Sequence, residues 1–408
     1  MTRNPPSART TGFFARRSPR TDPRLPAHVC RPHPEPEDAA VTGSERGQAT
    51  VTPGDTAETG QSGADPRDTG SGTWHAALRR VIRLGCRPGP WKRGPVLAAL
   101  AVLLGLVMVL HARITDRGGL GSLVENFLPW FGLFVPVLLA GALWRRSASA
   151  LVALVLPVTV WLSLFGGLLT DKSRTGYDLT VAAHNVGADN PDPAGTARDL
   201  AAAGADVLAL EEITPQARGT YEKELATTYP HHTVQGTVGL WSRLPLSDTR
   251  PVDIKQDVGP LGDAKPAEVK MTYNRALRAT VATDHGPLAV YVAHLGSVRV
   301  NPAAGFWTDS RDRNAQALGE ALAAEPNERV VLLGDLNGTT DDRALDGLTS
   351  RLRSAQDEAG DGFGFSYPAG FPVVRIDQIL VSGVRPESAW VLPATSSDHL
   401  PVAAGISW

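Results

Sequence analysis

Residues 329–342 read RVVLLGDLNGTTDD, and the interpretation of this stretch decides the fold. Val330-Val331-Leu332-Leu333 is a short, continuous apolar run rich in β-branched residues, which predicts a fully buried strand stopped by Gly334. Asp335 and Asn337 follow, flanked by Gly334 and Gly338. A carboxylate and a carboxamide two residues apart, just past a buried strand, point together into the crevice where open α/β sheets keep their chemistry. Taken alone, the segment equally fits a strand followed by an ordinary Asp/Asn/Gly turn. The surrounding chain separates the two.

Outward from this stretch the same arrangement recurs. Leu179–Ala183 predicts a strand leading to His184-Asn185, and Asp206–Leu210 one ending at Glu211-Glu212. Val269–Val281 and Leu288–Ala293 read as paired strands turning at Asp284-His285-Gly286, the second ending at His294. Asp377 sits inside the strand pattern Val373–Val381, costly for a carboxylate unless it is paired. Asp398 and His399, in SSDHLPV, precede a last strand at Val402–Ile406. Helical patterns at Ala194–Ala203, Pro215–Ala226 and Arg311–Ala324 are interleaved, which indicates an α/β sandwich with mixed sheets. Each polar residue has a plain account by itself. His294 suits a core histidine, Glu211-Glu212 an acidic first helical turn, and Asn185 a turn cap. Their joint occurrence at successive strand ends points to a site.

The segments TVAAHNVG, DVLALEEI, GLWSRLPL, AVYVAHLG, VVLLGDLNGT, RIDQILV and SSDHLPV, in this order, resemble the endonuclease/exonuclease/phosphatase superfamily with its deoxyribonuclease-I-like fold. The resemblance spans residues 178–408. It implies a four-layer α/β sandwich, a divalent metal, and hydrolysis of a phosphoester or phosphoanhydride. Carried over by position, it makes Glu212 the main metal ligand, with Asn185 and Asp398 holding the metal or its waters. Oxygen ligands of this kind suit Mg2+ or Mn2+. It makes His399 the general base, oriented by Asp377. Asp335 and Asn337 position the nucleophile and the phosphorus, and His294 hydrogen-bonds a phosphoryl oxygen or protonates the leaving oxygen. Such chemistry needs fixed donors for developing charge and an imidazole–carboxylate pair to take a proton near neutral pH. Members often carry glutamine where Glu211 stands; whether this extra carboxylate joins the site or faces away is open.

The two halves of the chain differ in charge. Residues 171–408 hold 31 acidic and 21 basic residues, a net of −10, against +8 for residues 1–170. Both cysteines, Cys30 and Cys86, lie in the front half, so the back half has neither disulfides nor a cysteine zinc site. A domain of roughly 230 residues buries enough core without them. Residues 1–90, rich in Pro, Arg, Thr, Gly, Ser and Asp, read as a disordered basic tail. The Arg16-Arg17 pair has no following apolar stretch to make a signal segment.

Between these parts lie three uncharged runs, Gly94–Ala112, Asn126–Trp144 and Ser147–Thr170, of 19, 19 and 24 residues. At ~1.5 Å per residue each covers roughly 28 to 36 Å, enough to span a bilayer core. Three transmembrane helices over 94–170 are therefore expected. Arg79, Arg80, Arg83, Arg87, Lys92 and Arg93 precede the first run, and Arg145-Arg146 separates the second from the third. The positive-inside rule puts these basic flanks and the N-terminus in the cytoplasm, and the catalytic domain outside the cell membrane.

An acidic catalytic half without a basic stripe argues against broad affinity for nucleic acid. Tethering to a bilayer favours a phosphorylated lipid or prenyl (pyro)phosphate as substrate; a tethered extracellular nuclease is the alternative. The architecture is similar to the VanJ-type membrane proteins of actinobacteria. That group is associated with glycopeptide (teicoplanin) resistance and with dephosphorylating the undecaprenyl carrier. The tandem His231-His232 and the arginines Arg275, Arg278 and Arg375 are further candidates for substrate contact, although packing or ion pairing also accounts for them.

Overall fold

A computed structural model describes residues 89–254, 274–301 and 305–408. The tail expected over residues 1–90 lies, but for its last two residues, outside the described ones, as does the start of the strand expected over Val269–Val281. All described residues fall within one unit, Gly72–Trp408.

The front segment consists of α1 (Pro95–Val109), α2 (Leu120–Asn126), α3 (Phe134–Trp144), α4 (Ala148–Ala153) and α5 (Val155–Phe165). The two last run on with a closing turn as one 22-residue helix, Ala148–Leu169, long and apolar enough to cross a bilayer. The expected set of three separate spans does not form. Residues Arg117–Asn126 and Leu128–Trp144 reach spanning length only when taken together, and they bend by 68°. The bend falls at Phe127, where Pro129 opens a new helical turn. Ser122, Glu125 and Asn126, inside α2, hydrogen-bond to the back half and hold the end of that helix against it, just before the bend. The first run yields only the 15 residues of α1, because the chain turns off at His111–Arg113.

The back half folds in chain order as β1 (Leu179–Asn185), α6 (Pro193–Ala203), β2 (Val207–Glu211), α7 (Pro215–Leu225), β3 (His231–Gln235), β4 (Val238–Ser242) and β5 (Leu246–Pro251). Next come β6 (Ala276–Thr283), β7 (Gly286–Ala293), the small hairpin β8 (Arg299–Asn301) and β9 (Gly305–Trp307), α8 (Asp309–Ala323) and β10 (Val330–Asp335). The chain closes with α9 (Asp346–Thr349), β11 (Arg353–Ser354), α10 (Ala355–Ala359), β12 (Asp377–Ser382), β13 (Arg385–Val391) and β14 (Val402–Ser407). Two six-stranded sheets result, ordered β13-β14-β1-β2-β4-β3 and β11-β12-β10-β7-β6-β5. Each is mixed, with one parallel pair near its centre, β1 with β2 and β7 with β10.

The central strands are buried on both faces, and alternation sorts their side chains. Val181, Ala183, Val207, Ala209, Val331 and Leu333 face the opposite sheet and form the core between the two sheets. The intervening Ala182, Leu208 and Leu210 pack outward with α6 and α7 residues such as Leu200 and Tyr221. Val330 and Leu332 pack outward with Ala315, Leu318 and Leu322 of α8. The order helix, sheet, sheet, helix is the expected four-layer sandwich. Gly334 does not stop its strand as expected: β10 continues through it to Asp335.

Candidate active site

At one end of the molecule the alternation that fills the inter-sheet core takes one further step and becomes polar. Val181 and Ala183 are followed on the inner face by Asn185, Val207 and Ala209 by Glu211, and Val290 and Val292 by His294. Val331 and Leu333 are followed by Asp335, while Asp377 precedes Ile379 and Val381 from the opposite direction. The β10–β12 register sets Asp335 directly across from Asp377.

Asp335 is the hub of this layer. Its Oδ1 accepts from the Asn337 backbone N–H at 2.9 Å, and its Oδ2 accepts from Asn185 Nδ2 at 3.0 Å. Burial and the nearby Asp377 charge push its pKa up to about 7. His399 Nδ1 lies 2.9 Å from Asp377 Oδ2. With a carboxylate as its partner, Nδ1 is the donor, which makes Nε2 the nitrogen that exchanges a proton. Burial alone would lower the His399 pKa; Asp377, then Asp335 and Asp398, outweigh it and hold the imidazole at about 10. His294 is buried with both ring nitrogens unpartnered, its Nε2 3.6 Å from Glu212 and from Asp335. Burial, with Arg275 and His399 nearby, holds its pKa well below the ordinary imidazole range and favours the neutral ring.

Glu212 has the wrong parity to face inward from a regular strand. Its backbone breaks the pattern with φ of 60°, and its carboxylate accepts from the Ala188 N–H at 2.9 Å. Asn337 is likewise left-handed, with φ of 49°. Such non-glycine conformations store backbone strain and mark positions where side-chain direction matters. Of the eight residues singled out from the sequence, six line one cavity of about 290 Å³: Asn185, Glu212, Asp335, Asn337, Asp398 and His399. His294 and Asp377 stand immediately behind it, against Asp335 and His399.

This donor set fits a hard divalent cation. Glu212, Asn185 and Asp398 offer only oxygen ligand atoms, and beside them burial, with the neighbouring acids, raises the pKa of Asp335 and of Glu211. Ligand atoms of Asp335, Asp377 and His399 also lie within 4.8 Å of one another, so a buried acid–histidine group able to hold a metal is present.

The Endonuclease/Exonuclease/phosphatase family profile matches residues 182–399, which is more than half of the sequence and contains every site residue above. The chain belongs to this family. Its members are hydrolases acting on phosphoesters. Similar solved structures include the Bacteroides thetaiotaomicron mannosyl-6-phosphatase (17% identity, covering 57% of this chain and 100% of that one, TM-score 0.44). Another is D. rerio TDP2 in complex with a single-strand DNA product (18% identity, 56% and 99%, TM-score 0.45). A third is the Staphylococcus aureus beta toxin (15% identity, 56% and 99%, TM-score 0.44). No curated protein matches the chain.

Several residues of this site were not singled out from the sequence. Ser366 Oγ donates to Asp377 Oδ2 at 2.6 Å, and the Tyr367 ring packs on His399 with centroids 4.7 Å apart. Ser397 Oγ donates to the Asn185 carbonyl at 2.7 Å and accepts from the His399 N–H at 3.2 Å, tying β1 to the histidine loop. Glu211, left open above, faces the site: it is buried and unpartnered, and burial with Asp377 and Asp335 raises its pKa well above the ordinary range, favouring its neutral form. Strand parity carried this signal. Asn126 and Phe127, from the front segment, also line the catalytic cavity, and nothing in their local sequence announced it. The remaining candidates make these contacts. Arg278 pairs with Glu325, Arg375 donates to Gln356 and the Gly364 carbonyl, and Arg275 donates to the Leu295 carbonyl. His232 stacks on Trp241, and β3, which carries both tandem histidines, is an edge strand.

Proposed function

We propose that this protein is a membrane-anchored, divalent-cation-dependent phosphohydrolase that cleaves a phosphoester or phosphoanhydride of a lipid or prenyl phosphate. The observation that carries this reading is that Asn126 and Phe127, borne on the apolar helical segment, line the same cavity as Asp335 and His399. A site walled in part by a membrane anchor suits a substrate confined to the bilayer. The front segment also exposes large apolar side chains such as Leu103, Val137, Val152 and Leu162, as expected of a lipid-facing surface. The excess of acidic residues over residues 171–408 disfavours nucleic acid.

In this reading a cation bound among the acids would offset the negative charge that keeps His399 protonated, so that Nε2 could take the proton of the attacking water, while Asp377 fixes the Nδ1–H tautomer and stabilises the imidazolium. Asp335 and Asn337 orient the nucleophile and the phosphorus. Neutral His294 donates a hydrogen bond to a phosphoryl or leaving oxygen. Glu212, with Asn185 and Asp398, would hold Mg2+ or Mn2+, which when bound supplies positive charge against the phosphoryl oxygens. The contact between the 113–127 region and the back half supports placing both on one side of the membrane, with Arg145 and Arg146 on the cytoplasmic side. An active site outside the cell would be in reach of the undecaprenyl carrier, through which the protein would contribute to glycopeptide resistance.

The test uses the detergent-solubilised full chain with Mg2+, following phosphate release from undecaprenyl pyrophosphate and nicking of plasmid DNA in parallel. Phosphate release that disappears in Asp335→Ala and His399→Ala, with the plasmid intact, is the expected result. Plasmid nicking that requires both residues would make the protein a tethered nuclease instead.

A further inference from the structure

A second cavity, of about 420 Å³, lies beside the catalytic one. Its walls come from both parts of the chain: Trp130, Leu133, Val158 and Trp161 from the front segment, and Phe363 and Phe365 from the loop before β12. The indole N–H of Trp130 donates to the Val373 carbonyl at 2.7 Å, and that of Trp161 to the Pro129 carbonyl at 2.8 Å. Both polar edges are thereby satisfied against backbone, leaving aromatic and aliphatic surface toward the cavity. Gly132 allows this packing, since a Cβ there would fall 2.4 Å from the Trp161 indole nitrogen. Trp130 stacks on Phe365 and Phe365 on Phe363, so the wall is continuous across the two parts.

The position of this groove is informative. Phe127 and Val374 line the catalytic cavity, and their close neighbours Trp130 and Phe365 line the apolar one, so both cavities share the 127–130 turn and the 363–374 loop as walls. Phosphate chemistry on one side of that wall and an aromatic slot on the other, open to the exposed faces of the helices, together match an amphiphile. We propose that the groove receives the hydrocarbon chain of the phosphorylated substrate while its phosphate lies among Glu212, Asp335 and His399. This rests on the lipid-phosphate reading above and adds to it where the chain lies.

The experiment uses the full chain in lipid nanodiscs and a dodecyl phosphonate carrying a terminal diazirine. Photolysis and peptide mapping should place crosslinks on Leu133, Val158, Leu162 and Phe363, removed by excess unlabelled dodecyl phosphonate. A dodecanol with the same diazirine should label the outer positions Leu103, Val137 and Val152. A phosphonate probe that labels only those outer positions, or nothing, overturns the groove. A kinetic arm separates this failure from that of the parent reading. From butyl to octyl phosphate, KM should fall about fourfold per methylene, and Val158→Trp should flatten the trend. Hydrolysis with KM independent of chain length sinks the groove while the phosphohydrolase stands. If no alkyl or prenyl phosphate is hydrolysed, the parent reading fails and the crosslink pattern alone decides the groove.

Discussion

Arg343 and Glu125, 218 positions apart, form a bidentate ion pair: Arg343 Nε lies 2.9 Å from Oε2 and Nη2 2.7 Å from Oε1, and the Arg343 backbone N–H donates to the same carboxylate. Glu125 is 1% exposed. The pair pins the end of α2 to the loop that follows Asp335 and Asn337. Beside it, Asn126 and Arg311 both donate to Asp342, and the Asn126 oxygen accepts from the Thr339 N–H. Removing one partner of a buried pair strands the other charge. Arg343→Ala is therefore expected to destabilise the protein by about 3–5 kcal/mol. It should also lower kcat, because the loop carrying Asn337 loses its anchor. Thermal unfolding and phosphate-release kinetics on the same preparation check both effects.

The His399–Asp377 pair predicts a different signature, loss of rate without loss of fold. His399→Ala should lower kcat by about 10²–10⁴, the usual range for a positioned general base. Asp377→Asn should produce a loss of the same order, since an amide no longer fixes the Nδ1–H tautomer. Ser366→Ala removes one hydrogen bond to Asp377 and should cost less than either. Circular dichroism matching the parent protein is required for this reading; unfolded variants would assign the pair to stability.

Much of this site was legible because alternation and strand ends are local properties. The buried run Val330–Leu333 follows from its period alone, whereas Asp335, Asn185 and His294 are marked as a site by their joint occurrence at strand ends and by the family resemblance. Strand parity also contained the answer for Glu211, which shares its face with Val207 and Ala209. Glu212 shows the limit of parity, because its inward direction depends on a left-handed backbone that no side-chain pattern encodes. The uncharged run from Asn126 to Trp144 read as a straight span because its composition is apolar. Its first residue is instead claimed by Asp342 and Thr339, more than 200 positions away. Long-range polar partners of this kind leave no periodic trace.

Gly334 gives a sharp steric prediction. Its φ of 134° lies where only glycine is comfortable, and an added Cβ would sit 2.1 Å from the Ala293 carbonyl oxygen and 3.1 Å from Glu211 Oε1. The neighbour it would strike is the backbone of the parallel strand β7, which cannot yield without breaking the β7–β10 pairing that positions His294 and Asp335. Gly334→Ala should lower stability by about 3 kcal/mol or more, by analogy with other large strain effects. A melting temperature equal to that of the parent protein would show that the sheet relaxes more easily than its geometry implies.

Cation dependence should follow the oxygen donors. Chelation is expected to abolish phosphate release, and Mg2+ or Mn2+ to restore it. Glu212→Gln should raise the Mg2+ concentration for half-maximal activity, while leaving the His399–Asp377 pair in place. Asp398→Asn should act in the same direction. A variant whose kcat falls while its cation requirement is unchanged would move Glu212 from cation holding to substrate positioning.

Far from the site, Glu325 and Arg278 set an acid limit on stability. Arg278 donates twice to Glu325 at 3.0 Å, Tyr291 donates at 2.7 Å, and Asn327 donates through its backbone and side-chain amides. Burial would raise the Glu325 pKa, but these hydrogen bonds hold it at about 2. A carboxyl depressed below its unfolded value of about 4.3 contributes stability that is fully present above that value. The contribution is lost as pH falls from there through about 2, where folded and unfolded forms both bind the proton. Glu325→Gln removes one of the two carboxylates paired with Arg278, Asp248 being the other, and should cost about 1.5–3 kcal/mol at pH 7. The gap to the parent protein should narrow steadily below pH 4.3, as read by denaturant titrations at stepped pH. A gap that stays constant down to pH 2 would mean that packing around the side chain, rather than its charge, provides the stabilisation.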